Sequence, residues 1–287
     1  MLENALYQAI LARRSVRRYE KTPLADADLA QVREVVSTAN PLVAENDFRV
    51  EFYQTSTDTD LVAALGGYGH IVKPPHYLAP YVSGEAFLLQ DLGYRTGQMA
   101  VRLAGLGLGS CYIGSLGREA EVRARFGLPA QARIGALLVF GWPSEALGGR
   151  FLNSAIRMAA GATRKLPAER IFFQGSFDAP ALPPAGLAPL IEAARHAPSA
   201  VNVQPWRFLW REGRLHLFVH RQNPRYGQGA GAEYRLFDGG ICMANVALAL
   251  EALGLPGRWE MVEEPDPEIP PHPPGLQPLA RLTSFSL

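Results

Sequence analysis

Cysteine is scarce in this chain: Cys111 and Cys242 are the only two among 287 residues, and they stand far apart. That excludes a disulfide framework and fits a reducing compartment. Histidine is scarce as well, with six in all and no pair at metal-ligand spacing. Net charge is nearly absent, because 28 Lys and Arg balance 27 Asp and Glu to leave +1. A chain so balanced has no long-range field for nucleic acid or an anionic membrane. Long hydrophobic runs are missing too. Stretches such as Ile134–Trp142 fall well short of the ~20 residues a membrane span needs. The opening Met1-Leu2-Glu3-Asn4 reaches its basic residues only after an amphipathic stretch, the reverse of a secretory signal. The expectation is a soluble, cytoplasmic protein without a metal.

Two catalytic signatures are missing as well. Gly-x-Ser-x-Gly does not occur around Gly109-Ser110-Cys111, so a serine-hydrolase elbow finds no support. The glycines from Gly105 onward fail the dinucleotide fingerprint, because Ser110 stands where its last glycine belongs. That segment also follows a helix, whereas the fingerprint follows a strand.

What is present is an ordinary globular composition, 48% apolar and 19% charged, in a chain long enough for a sizeable core. Apolar spacing predicts a helix ending near Arg13–Arg14 and another carrying Leu29, Val32, Val35 and Val36, capped by Asp26 or Asp28. Strands are predicted over Phe48–Tyr53 and Tyr77–Val82, then a long helix from Glu85 to Leu106, stopped by a glycine-rich turn at Gly107-Leu108-Gly109. A short helix over Arg118–Phe126 leads to a buried strand over Ile134–Phe140. Gly141–Pro167 reads as a connector with some helix. A helix over Leu187–Ala197, a hairpin from Arg207–Trp210 and Leu215–Val219, a long helix over Gly240–Leu253, and strands over Arg258–Val262 and Leu279–Phe285 follow. The proline-rich tract Glu263–Pro278 is expected to be an exposed loop.

This order repeats. Asp91 and Asp238, Gly93 and Gly240, and Gly107 and Gly254 are all offset by 147, and an earlier register offset by 158 pairs Leu29 with Leu187 and Ala39 with Ala197. Leu-Gly-Leu at a helix end is also common C-cap chemistry. Shared order in two registers points to two tandem halves, 1–163 and 164–287.

Three segments can carry chemistry. Arg13-Arg14-Ser15-Val16-Arg17-Arg18-Tyr19 sets four guanidiniums and a hydroxyl just after a helix. Planar, permanent cations suit phosphate oxygens and ring carbonyls, though a solvated basic turn has the same composition. Pro198-Ser199-Ala200-Val201-Asn202-Val203-Gln204-Pro205-Trp206 packs a hydroxyl, two amides and an indole between prolines. Amides both donate and accept, as the edge of a heterocycle requires, and an Asx-rich connecting turn also reads this way. In Gly107–Ser115 the glycines let backbone N–H groups approach a ligand, or simply stop a helix.

Together these segments resemble the nitroreductase family of FMN enzymes. Arg-Arg-Ser-x-Arg-x-Tyr is similar to its first flavin motif. Ala-Pro-Ser-Ala-x-Asn-x-Gln-Pro-Trp is similar to its second, and Leu-Gly-Leu-Gly-Ser-x-x-Ile-Gly to its third. The resemblance covers nearly the whole chain, with one departure. Typical members pair two copies around two flavins, whereas here the first half reads Asn40-Pro41-Leu42-Val43-Ala44 where the second motif belongs. The second half, in turn, reads Gln174-Gly175-Ser176-Phe177-Asp178 near the place of the arginines. Each half keeps what the other lacks, which implies a fused, single-chain pseudo-dimer with one flavin site.

The resemblance implies an α+β, nitroreductase-like fold of two half-domains packed through their long helices. It implies FMN held by Arg13, Arg14 and Ser15 at the phosphate and ribityl chain, and by Arg17 at the pyrimidine side. Pro198, Ser199, Ala200, Asn202 and Gln204 come from the opposite half, backbone N–H groups at Gly114 and Ser115 point to the hydride-accepting nitrogen, and Arg164 and Lys165 close on the phosphate. No protein nucleophile or acid–base pair is needed, since flavin carries the chemistry. The implied activity is ping-pong reduction of nitroaromatics, quinones or similar electron-poor compounds by NADH or NADPH, in a monomer or homodimer. The alternative is a non-catalytic flavin- or ligand-binding protein on the same scaffold. Tyr68, His70 and Lys73 line or block the space above the ring, or are plain loop residues.

Overall fold

The computed structural model describes residues 4–54, 72, 74–144 and 164–285. Tyr68, His70, Lys73 and most of the expected connector lie outside the described residues, and the expected half-boundary falls at the edge of them.

Among the described residues, helices α1 (Ala5–Ala12), α2 (Asp26–Ser37), α3 (Leu88–Gly105), α4 (Glu119–Phe126), α5 (Ala188–His196) and α6 (Tyr234–Leu253) accompany nine strands. These are β1 (Asp47–Gln54), β2 (His76–Ser83), β3 (Gly109–Gly114), β4 (Ala136–Gly141), β5 (Phe172–Gln174), β6 (Trp206–Arg211), β7 (Arg214–His220), β8 (Arg258–Met261) and β9 (Leu276–Thr283). α1 starts where the Asn4 side chain accepts from the Leu6 and Tyr7 N–H groups. α2 departs from expectation: Ala25 is its N-cap and makes no side-chain bond, while Asp26 and Asp28 sit inside the first turn, where the helix dipole favours them. Glu212 and Gly213, both at positive φ, close the β6–β7 hairpin as an inverted two-residue turn demands.

The strands form two sheets with one plan. The first runs β1-β2-β4-β3, and the second runs β5-β6-β7-β9-β8, so β6-β7-β9-β8 repeats the first sheet strand for strand. Both sets are antiparallel, and only β5 joins in parallel. β4, flanked by partners on both sides, is buried at every position, as its unbroken apolar run predicts.

The long helices α3 and α6 pack on each other between the sheets, and the contact is reciprocal. A Cβ on Gly93 would lie 2.1 Å from the Phe237 carbonyl oxygen, and one on Gly240 would lie 2.1 Å from that of Gln90. Phe237 follows Gln90 by the same offset that separates the two glycines. Self-complementary contact of this kind is the mark of a two-fold interface, here made inside one chain. With the turn before it, α6 is long and apolar enough to cross a membrane, contrary to expectation. Gly229–Leu253 has a mean hydropathy of 1.5 in its best window, yet that window is 72% buried in protein.

Two strands were not predicted, β5 and the one after the glycine-rich turn. Residues 109–114, which begin at the last glycine of the turn expected over 107–109, form β3 against β4. The extended segment after α1 crosses beside it, with the Val16 N–H donating to the Ser110 carbonyl at 2.9 Å. Gly109 makes room for that crossing, since its Cβ would meet Val16 at 2.8 Å.

Candidate functional site

The basic segment leaves α1 in extended conformation, so its side chains alternate. Arg13 is buried, Arg14 is exposed, Ser15 is half-buried, Val16 is buried, and Arg17 is half-buried. Arg13 is the informative one. It is 8% exposed and forms no ion pair among the described residues; its Nε has no hydrogen-bond partner. One long contact, 3.4 Å from Nη2 to the His196 carbonyl, ties it to the end of α5. Burial pulls its guanidinium down from the ordinary value. A buried cation left so incompletely bonded is costly unless an anion completes it.

Lys165 stands beside it. Its Nζ donates to the Ala197 carbonyl at 2.8 Å, and no carboxylate pairs with it among the described residues. Burial first, and the neighbouring Arg13 second, pull its amine down to about 7. Arg13 follows α1 and Lys165 precedes β5. Together they make a two-cation cluster with no counter-charge paired to either among the described residues. Cys111 lies against the same cluster, hydrogen-bonded to Ser15 and within the field of Arg17 and Arg13. Burial raises its thiol, and those contacts only partly offset the rise.

The loop after α5 is held from two sides. Asn202 Nδ2 and Gln204 Nε2 each donate to the Arg164 carbonyl at 3.0 Å, and Gln204 Oε1 accepts from the Leu166 N–H at 2.9 Å. Arg164 thus meets this loop through its backbone carbonyl, and the residue itself is exposed. Ser199 Oγ accepts from the Gln204 N–H, and Val201, Asn202 and Gln204 all adopt positive φ. Pro198 and Ser199 are half-buried at the loop's entrance.

Beneath the loop, Asp238 on α6 accepts from the Ala200 N–H at 2.9 Å and from the Tyr226 hydroxyl at 2.7 Å through one oxygen. Burial raises this carboxyl to about 7, against those two bonds. The first half does the same with Asp91, which accepts from the Leu42 N–H at 2.8 Å. Leu42 is the residue that corresponds to Ala200 in the earlier register. There the helix adds its own cation: Arg95 bonds Asp91 and donates to the Val43 carbonyl. Position 95 corresponds to Cys242 in the second half, so Asp238 has no such partner.

One expectation is corrected. The Ser115 N–H is not free to meet a ligand, because it donates to the Gly135 carbonyl at 3.1 Å, and its Oγ bonds the Ile134 carbonyl. Gly114 is exposed and faces Tyr234 of α6, whose Oη lies 2.1 Å from where a Cβ would be. Tyr234 Oη also accepts from the Leu116 N–H at 3.2 Å. Tyr226, Tyr234 and Asp238, which hold these two segments, were not among the expected candidate residues. Asp238 was visible in the repeat, and an aspartate in so apolar a helix is a signal in itself.

The matching place in the other half is a cleft lined by Phe87, Gln90, Val262, Glu263, Glu264, Gln277, Pro278 and Leu279. The correspondence is local and close: the Val262 N–H donates to Leu279 as that of Ser115 does to Gly135. Its lining carries two carboxylates and no cation.

The protein family described as "Putative TM nitroreductase" matches residues 5–250. Among solved structures, a putative nitroreductase from Thermotoga maritima aligns over 96% of this chain and 92% of its own, with a TM-score of 0.59 at 16% identity. An FMN-dependent nitroreductase from Clostridium difficile aligns over 48% of this chain and 87% of its own, at 16% identity and a TM-score of 0.42. A hypothetical oxidoreductase from Bacillus subtilis aligns over 50% and 67%, at 22% identity and 0.44. No curated protein matches the chain.

Proposed function

We propose, from the premise that this chain belongs to the putative TM nitroreductase family, that it is an FMN-dependent oxidoreductase with one flavin site per chain. It draws on NADH or NADPH and reduces nitroaromatic, quinone or similar electron-poor compounds. The observation that carries this reading is the cluster of Arg13 and Lys165, one cation buried and the other half-buried, with no carboxylate paired to either among the described residues and with the Arg13 Nε unpartnered. A phosphate monoester supplies the missing charge and acceptors.

Flavin, when bound, supplies the hydride and electron transfer, so the chain's own residues bind, orient and exclude water. In this reading Arg13 and Lys165 hold the phosphate, with Ser15 at the ribityl side. Arg17 offers a fixed cation where the ring gains negative charge on reduction, which is stabilisation by a pre-placed charge. Asp238 and Tyr226 fix the loop that presents Ser199, Ala200 and Asn202. Gly114 admits the Tyr234 side chain beside it. The corresponding cleft carries Glu263 and Glu264 where the first half has Leu116 and Gly117, and its lining offers no cation for a phosphate. On this view the halves are 1–163 and 164–287, and the chain needs no second copy to complete its site.

The test is the visible spectrum of the purified protein, followed by FMN titration. A two-banded flavin spectrum at one equivalent per chain, bleached by NADH or NADPH, supports the reading. Flavin uptake that neither nucleotide bleaches returns the protein to a flavin-binding role. A colourless chain that takes up no FMN refutes both.

A further inference from the structure

The two cations of this cluster cannot both be comfortable without an anion. Lys165 reaches the Ala197 carbonyl at 2.8 Å, while Arg13 stands 8% exposed at the end of α1. Arginine does not give up its proton in proteins, so the relief must come from the lysine. Among the described residues the surroundings offer no other. From α5, Arg195 adds a further positive charge, and Glu192, the carboxylate nearby, is taken by Arg195 and His196. From α6, Cys242 faces the amine as a neutral thiol, its ionisation pushed well up by burial. Asp238, one turn before it, is committed to Ala200 and Tyr226. Lys165 is drawn down to about 7 in consequence, first by burial and then by Arg13.

We propose that this pocket takes a dianionic phosphate monoester together with one proton, which Lys165 gains from solvent as the ligand enters. The inference rests on the flavin reading and adds to it a proton balance: a neutral amine and a proton become an ammonium, and no other bond is made or broken. With phosphate in place the ammonium has its counter-charge, and its pKa returns towards the ordinary lysine range. Flavin retention then weakens as pH rises above neutrality. Riboflavin, which lacks the phosphate, takes up no proton.

The test is calorimetric titration of FMN into the flavin-free full-length chain at pH 8, in two buffers of very different ionisation enthalpy. Phosphate buffer is avoided. FMN is already dianionic there, since its second ionisation lies near pH 6. A group at about 7 predicts uptake of about 0.9 proton per flavin at pH 8, and affinity falling nearly tenfold per pH unit beyond it. Lys165→Arg, charged throughout, should bind FMN with no uptake and a flat pH profile. FMN that binds the unaltered chain with equal heat in both buffers overturns the inference and leaves the flavin reading standing. Failure to bind FMN at any pH overturns the flavin reading, and this inference falls with it.

Discussion

Substituting Gly93 with alanine places a methyl 2.1 Å from the Phe237 carbonyl oxygen and 3.2 Å from the Ile241 nitrogen. Both are backbone atoms of α6, so no rotamer change relieves the clash. Carbon and oxygen sit comfortably at ~3.5 Å, which requires the two helices to separate by about 1.4 Å along the contact. Gly97, one turn on, already stands with its would-be Cβ 2.7 Å from Ala244 Cβ, so α3 cannot pivot about that point to escape. Overpacking of a tight core costs about 1–3 kcal/mol, and a backbone obstacle puts this site at or above the upper end. Gly240→Ala meets the Gln90 carbonyl at the same 2.1 Å and should lose a similar amount. The double variant should lose less than the sum, because helices already parted by one methyl accept the second more cheaply. Urea unfolding of both single variants and the double measures this, with Gly117→Ala as control, since nothing lies within 4 Å of that Cβ. A loss under about 0.5 kcal/mol for either glycine would refute the close two-fold contact.

Arg17→Ala and Asn202→Ala lie in different halves, and each should weaken FMN retention by about tenfold or more, read by fluorescence titration. If only one matters, the shared-site reading is wrong. Asp238, fully buried and raised from 3.8 to about 7, stabilises the fold in its protonated form, so its burial becomes a growing cost as pH climbs from about 4 to 7 and a constant one above. Relative to the unaltered chain, Asp238→Asn should therefore gain stability across that window, by up to a few kcal/mol, and a pH-independent difference would count against the raised ionisation. Gly114→Ala drives a methyl into Tyr234 Oη and breaks its bond from the Leu116 N–H, costing about 1–2 kcal/mol. Adding Tyr234→Phe should recover part of that loss in a thermal melt, and full additivity would show that the two do not touch.

Alternation and helical spacing were enough to locate most elements, and offsets in the sequence foretold a topology repeated strand for strand. They failed at Gly109–Gly114, because a glycine-rich stretch has no β-propensity to read and gains its strand character from the neighbour it admits, Val16. They failed again at Ser115, whose amide looked available until the partner carbonyl of Gly135 was in place. The site was half legible. Arg13, Lys165 and the loop from Pro198 to Gln204 were visible as residue types in a known order, and they do come together. That Asn202 and Gln204 spend their amides on the Arg164 backbone is a matter of distance, which composition does not encode. Tyr226 escaped notice for the same reason, and the repeat that exposed Asp238 does not announce that its buried carboxylate anchors a loop.

The reciprocal packing of α3 on α6 bears on how this protein can change. When two identical subunits meet across a dyad, one codon writes both faces, and every substitution arrives in duplicate. Here the faces have separate codons. A charge such as Arg95 can be tried beneath one loop while Cys242 is left beneath the other, and a carboxylate can enter one cleft without spoiling its twin. One face is then free to serve as scaffold alone, and the chemistry of the other can drift without dragging its mirror image along.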